Sequence, residues 1–492
     1  MNKQPKVSLA RHMGLLGLAS TGICSMLGAS IYVVPFMIQR SVPGIGPYVV
    51  PAFLVAALPA ILAAMAYSIL ASAMPRAGGS YIYASRGLNP FLGFVASFSQ
   101  WFGLSIVIGV IAYVIIPFFR DIAELLEMTS LAATLDYGII RVVLALALLW
   151  IFVFVNILGV KFYERTVVPL MFLMFALGAV VIVAGFSFDH QDFRNAVAGV
   201  KEIPDSSANI NIFVFLSAAA ILFASFIGFD SIAQAGGEAK NPTSSLPKAI
   251  AIAVLTVGGF YFLFTSAIYH AVPWQFVASE AMTRDITAAG MLSYLLPSGW
   301  AIVIVLGAAI ALLNDLPAMI LSVSRLMFAW AEDGIFPKQI ARVNARFHTP
   351  VNAIIAGGIM ASVGIIGSHV AGDFFLGVDI MVTSMLVNFL LMCITVVALP
   401  KHNPELFKQV SVMSNRTTQL FISWAGIILL SGFLCIHIWK DLTASVEKWY
   451  FHSTPVWLIV MAMAVLVYTW ERKKQEKKGV NFRELFKTLP PE

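Results

Sequence analysis

The chain has 492 residues, 59% hydrophobic and only 11% charged, with a mean hydropathy of +0.87. A soluble chain needs far more charge on its surface, so soluble enzymes and soluble binding modules are excluded, and a polytopic membrane protein is expected. The net charge of +6 is distributed in a way that argues against a nucleic-acid partner.

Apolar segments of about 20 residues, the length that crosses a ~30 Å hydrocarbon core, recur along the whole chain. Twelve spans are predicted, at 13–38, 46–74, 91–119, 138–158, 166–187, 209–236, 248–272, 299–331, 351–370, 374–399, 419–439 and 455–471. The first run is too long for a signal peptide and lacks a convincing cleavage site. Between the spans, one side carries Lys3, Lys6, Arg11, Arg76, Arg86, Lys161, Arg165, Lys240, Lys248, Lys338, Arg342, Arg346, Lys401, Lys408, Arg416 and a basic tail from Arg472 to Lys487. With Arg325, about 23 of the 31 Lys and Arg lie there. The other side holds Asp121, Glu124, Glu127, Asp136, Asp189, Asp192, Glu202, Asp205, Glu280 and Asp285. By the positive-inside rule both termini are cytoplasmic, and a prokaryotic inner membrane is the expected location. The three cysteines, Cys24, Cys393 and Cys435, show no metal spacing and read as small core residues.

Span one has a weak centre. "CSMLGASIY" (24–32) places small and polar residues where a helix should be most apolar. Such a stretch either lets helices pack closely or lets the helix unwind and offer backbone groups to a ligand. Span six is interrupted too, by Ser225, Gly228, Asp230 and Gly236–Gly237 in "FASFIGFDSIAQAGGEAKNP" (223–242). Spans one and six open two halves of five spans each. Interruptions at matching positions point to an inverted-repeat carrier with its site at the bilayer midplane.

Four stretches carry a resemblance: "GASIY" (28–32), "MPRAGGSYIY" (74–83), "FIGFDSIAQAGGEAKNP" (226–242) with "LPKAI" (246–250), and "SRLMFAWAEDGIFPKQIARVNARFHTP" (324–350). From about residue 10 to 400 the sequence resembles the amino acid–polyamine–organocation family of secondary carriers. The resemblance implies an all-α integral membrane fold of about 12 transmembrane helices, a LeuT-like 5+5 inverted repeat with broken helices one and six plus two C-terminal helices. The parts would be a cytoplasmic N-terminus (1–12), two five-helix repeats (13–187 and 209–399), helices eleven and twelve (419–471) and a basic cytoplasmic tail (472–492). Substrate would lie between spans one, three, six, eight and ten. Its α-carboxylate would meet backbone amides along Ser25, Met26, Gly28, Ala29 and Ser30. Its α-amine would meet carbonyls near Met26 and from Ala224 to Ile227, among Phe223, Ser225, Phe226 and Gly228. Ser30 replaces a family glycine. Ala224 stands where relatives often carry an aromatic lid, which leaves a roomier pocket or a lid supplied by Phe223 or Phe226.

Charged groups inside spans are costly and mark function by default. Asp230 matches an acidic family position and reads as gating or proton-responsive, or else as an acid bonded to neighbouring helices. Asp315 is unusual for span eight. By the resemblance it lies against broken span one and would bind Na+, carry a proton or pair with a cationic substrate; the bland reading is an Asn314–Asp315 polar patch at the extracellular mouth. The family's proton-handling lysine of span five is replaced by Met174. Glu238, Lys240, Arg325 and Asp333 read as a network joining loops to span ends, and Gln100 and Trp101 as pocket lining or ordinary packing. There is no Walker A loop, Rossmann fingerprint or catalytic triad, so no enzyme is expected. The expected function is a secondary active permease for amino acids or related small amines, working by alternating access on an ion gradient; an exchanger and a non-transporting sensor are the alternatives. Expected partners are that substrate and the lipid bilayer, with Na+ or H+ as coupling ion and no other cofactor. Oligomeric state cannot be read from the sequence.

Overall fold

A computed structural model describes residues 8–490 except 29, 200, 205–207, 209, 284–285, 372–374, 445 and 447. Lys3, Lys6, Ala29, Asp205 and Asp285 therefore lie outside the described residues. Among the described residues the structure is helical, with no strand beyond two isolated bridges, Met13 with Ala239 and Ala77 with Ala235. Among the described residues, twelve helical stretches are long and apolar enough to cross a membrane, and they match the twelve predicted spans in order.

Three spans begin clearly earlier than the sequence reading placed them. Span five begins at Val160, span seven at Pro242 and span eleven at Arg416. Lys161 and Arg416 thus stand in the first turns of helices, and Arg165 and Lys248 in second turns, rather than in loops; long cationic side chains there reach water from an apolar stem. Short helices that periodicity did not reveal fill the connections: Gly79–Gly87, Thr129–Asp136, His190–Val197, Trp274–Thr283 and Ala288–Leu292.

Span three, Pro90–Leu125, is the central post. Asn89 caps it by accepting from Phe91 N at 2.8 Å, and Pro90 supplies a preset first position. At 36 residues it is about 54 Å long and overshoots the hydrocarbon core. It packs against spans eight, nine and ten. Its crossing with span nine is backbone on backbone: a Cβ on Gly109 would lie 2.1 Å from Ala361 O, and one on Gly364 would lie 2.5 Å from Ile106 O. Small residues permit this approach, which replaces hydrophobic driving force inside lipid. Span one is the most enclosed, 82% buried over its apolar window, against 28% for spans four, five, eleven and twelve. Exposed apolar side chains such as Phe213, Val370, Phe421 and Trp439 cover the periphery, as lipid contact requires. Cys24 and Cys393 are buried as expected, but Cys435 is exposed on peripheral span eleven and is not a core residue.

The candidate site at two interrupted spans

Span one is two helices, Leu15–Met26 and Ser30–Ser41, with Leu27 and Gly28 between them among the described residues. Span six, Ile212–Gln234, begins behind an Asn211 cap that accepts from Val214 N at 2.9 Å. Its helix runs to Leu222, tightens into a 3-10 turn at Phe223–Phe226, extends at Ile227 and resumes at Ser231–Gln234. The turn between is possible because Gly228 takes φ +132°, a conformation that side chains rarely tolerate.

The two breaks are seated on each other. A Cβ on Gly228 would lie 2.2 Å from Ser25 O and 2.8 Å from Met26 N, so only glycine lets the strands meet. Ser25 Oγ is 3.0 Å from Ser231 Oγ, a second tie across the junction. Tyr261 of span seven holds a third: its hydroxyl donates to Met26 O at 2.7 Å and lies 3.3 Å from Ser30 Oγ, bridging both halves of span one. Its ring stacks on Phe53 at 5.8 Å and meets Phe226 edge-on at 5.7 Å. Tyr261 was not singled out in the sequence, where it is one aromatic residue in an ordinary apolar run.

The structure thus gathers Ser25, Met26, Gly28, Ser30, Phe226, Ile227 and Gly228 at one junction. Phe223 points elsewhere, against Phe389 of span ten and Phe433 of span eleven, while Phe226 stands beside Tyr261 at the break. Ala224 is half-buried and its carbonyl accepts from Ile227 N at 3.2 Å; Ser225 is buried. Met174 is buried in span five, and the lysine of that span, Lys161, lies in its first turn about 20 Å away along the helix.

Asp315 sits at the middle of span eight, Gly299–Glu332, and is buried. Its Oδ2 lies 3.0 Å from the position of a Cβ on Gly28, so the carboxylate touches the break in span one. Oδ1 has no hydrogen-bond partner. Neighbouring Asn314 also meets span one, donating to Cys24 Sγ at 2.8 Å, and reaches span five through Val167 O at 3.3 Å. The pair is therefore buried at mid-span rather than at the mouth, with Asp315 at Gly28 and Asn314 at Cys24 and Val167.

Asp230 is fully buried in a second polar cluster just beyond Gly228. Gln100 Nε2 donates to Asp230 Oδ2 at 2.5 Å. Gln100 Oε1 in turn accepts from Ser80 at 2.5 Å and from Asn388 at 3.1 Å; Asn388 also donates to Tyr67 at 2.8 Å, and Gln234 donates to Ser80 at 3.1 Å. The cluster ties spans two, three, six and ten to the helix Gly79–Gly87. Trp101, by contrast, packs with Phe98 and Trp330 at 5.3 and 5.9 Å.

The face that holds the basic residues is closed beneath the breaks. Met13 N donates to Glu238 O at 2.9 Å and Lys240 N to Met13 O at 2.8 Å, pairing the chain before span one with the exit of span six. Glu238 and Arg325 form a buried ion pair, with Arg325 Nη2 2.5 Å from Oε1 and Nε 3.1 Å from Oε2. Arg86 and Asp333 form another, at 2.5 and 2.8 Å, and Tyr81 donates to Asp333 at 2.6 Å. The tail folds over this second pair: Phe486 is buried with its ring centroid 4.7 Å from the Arg86 guanidinium, and Arg86 Nε donates to Thr488 O at 3.3 Å. Arg76 Nε reaches Pro490 O at 3.2 Å and Asn403 reaches Lys487 O at 3.0 Å.

A membrane bundle with paired helix breaks defines the class of protein, a carrier, and comparison with known proteins identifies the family. Residues 13–467 match the amino acid permease family, and the chain belongs to it. It is 27% identical over 363 residues to an uncharacterized transporter of Mycobacterium tuberculosis, covering 72% of this chain and 73% of that one. It is 32% identical over 146 residues to cationic amino acid transporter 4 of Mus musculus, covering 30% of this chain and 22% of that one. A vacuolar cationic amino acid transporter 2 of Arabidopsis thaliana is 30% identical over 183 residues, covering 37% of this chain and 27% of that one. The chain is a transporter of amino acids, not an enzyme.

Proposed function

We propose that this amino acid transporter works by alternating access, driven by an ion gradient, with the basic face in the cytoplasm. Residues 13–187 and 209–399 are its two inverted halves, and spans one, two, six and seven move against the others. The observation that carries this reading is the seating of Gly228 on the Ser25 carbonyl, which joins the two breaks at one point near the middle of the bundle. Unwound backbone there offers amides to a carboxylate without a charged side chain. The Asp230–Gln100 bond joins span six to span three and must break if the two move apart, which gives Asp230 a gating role. The Glu238–Arg325 pair stands in the same relation at the basic face.

The test is uptake of radiolabelled amino acids by proteoliposomes under a Na+ gradient, under a pH gradient, and with neither but with preloaded amino acid. Flux under one gradient supports the reading and names the coupling ion. Flux only after preloading makes the protein an exchanger. Binding without flux in all three would overturn transport by this chain.

A further inference from the structure

Asp315 is 4% exposed, lies at mid-span and touches the break in span one, yet no cation among the described residues pairs with it. Oδ1 accepts no hydrogen bond. Among the described residues no ion pair involves it. The cation on its own helix, Arg325, is ten residues further on, about 15 Å along the axis, and is already paired with Glu238. Its close neighbours Cys24 and Tyr261 carry no positive charge. A carboxylate kept in the membrane interior without a countercharge is expensive, and such groups persist where a ligand completes them.

A zwitterionic amino acid brings no net charge and would leave the filled site negative. An amino acid of net charge +1 makes the filled site neutral. A second observation concerns the acceptors available at the junction. The Met26 carbonyl, which the sequence reading assigned to the substrate's ammonium, already accepts the Tyr261 hydroxyl at 2.7 Å. Asp315 Oδ1, beside the break, is an acceptor that no described residue fills.

We propose that Asp315 selects the substrate: its carboxylate pairs with the positive charge of a cationic amino acid, through an ammonium or a guanidinium. The inference rests on the transport reading above and adds the substrate class to it. The same carboxylate makes the neutral competitor poor, because leucine brings an ammonium and a carboxylate together and leaves the filled site with an uncompensated negative charge.

The experiment uses the full chain in proteoliposomes with labelled arginine, lysine and leucine, for the wild type, Asp315→Asn and Asp315→Glu, with binding followed separately by thermal shift in detergent. The expected result is kcat/KM for arginine or lysine at least about tenfold above leucine. Asp315→Asn should lower the cationic value about 100-fold and leave leucine within about threefold, the loss expected when a buried charge pair is broken. Asp315→Glu should recover part of it, which separates loss of recognition from loss of folding. Preference for leucine in the wild type, or an unchanged arginine-to-leucine ratio in Asp315→Asn, overturns the inference. So does an Asp315→Asn protein that loses only gradient-driven uptake and keeps arginine exchange, because the carboxylate would then hold Na+ or a proton. Asp315-dependent arginine binding without flux in any variant keeps the inference and removes the transport reading; absence of both binding and flux removes the two together.

Discussion

Gly228 is the residue on which the site turns. Its left-handed backbone could in principle be borne by another small residue at a strain of about 1–3 kcal/mol, but the Ser25 carbonyl occupies the place of any Cβ. Gly228→Ala should therefore lower stability in detergent and abolish uptake, whereas Gly432→Ala, where nothing lies within 4 Å in another span, should leave uptake unchanged and stabilise the helix by about 0.5–1 kcal/mol. Heat-induced loss of the monodisperse peak in size exclusion, read beside uptake, checks both. The same scale shows what a sequence can and cannot disclose. Gly28, Ser25 and Gly228 were legible because small residues in a membrane helix are chemically odd. Tyr261 was not, because its role is fixed only by span seven lying across the gap between Met26 and Ser30. Asp315 stood out as an acid in a span, but its approach to Gly28, with Asn314 bonded beside it to Cys24 and Val167, follows from how span eight is rotated against span one.

Among elements, the closed face depends on pairings between segments far apart in sequence. Glu238 lies at the exit of span six and Arg325 near the end of span eight, both nearly inaccessible to water. Removing one member leaves a buried charge alone, which costs about 3–5 kcal/mol, while replacing both by apolar residues of similar volume is close to neutral. Arg325→Met and Glu238→Gln should each destabilise the protein by about that amount, and Glu238→Met with Arg325→Met should recover most of it. A double-mutant cycle on denaturation in detergent measures the coupling; additive effects would show that the pair is not a unit. The span order, the two breaks and the network residues Glu238, Arg325 and Asp333 were all readable from motif and hydropathy. Their partners were not, since pairing Arg86 with Asp333 across 247 residues requires the assembled bundle.

At the scale of the whole molecule, the basic tail belongs to the fold. Phe486 is 5% exposed and covers Arg86, with backbone carbonyls of Lys487, Thr488 and Pro490 held by Asn403, Arg86 and Arg76. Truncating a buried phenylalanine costs about 3–5 kcal/mol in a core, and part of that should appear here as undocking. Phe486→Ala is expected to speed tryptic cleavage after Lys487 about 10-fold or more, because proteolysis follows the population of the opened form. Equal cleavage rates in both proteins would mean that the tail is not held by this contact. Docking of this kind also sets an order of events during synthesis. Arg86 is made early, and the carbonyl of Thr488 that it binds follows 402 residues later, after all twelve spans have been synthesised. Until then the guanidinium has Asp333 but no cover. The basic face is thus finished by the last segment described here, and a nascent chain stalled in span twelve differs from the completed one at a point next to span three, on the far side of the sequence from where it stopped.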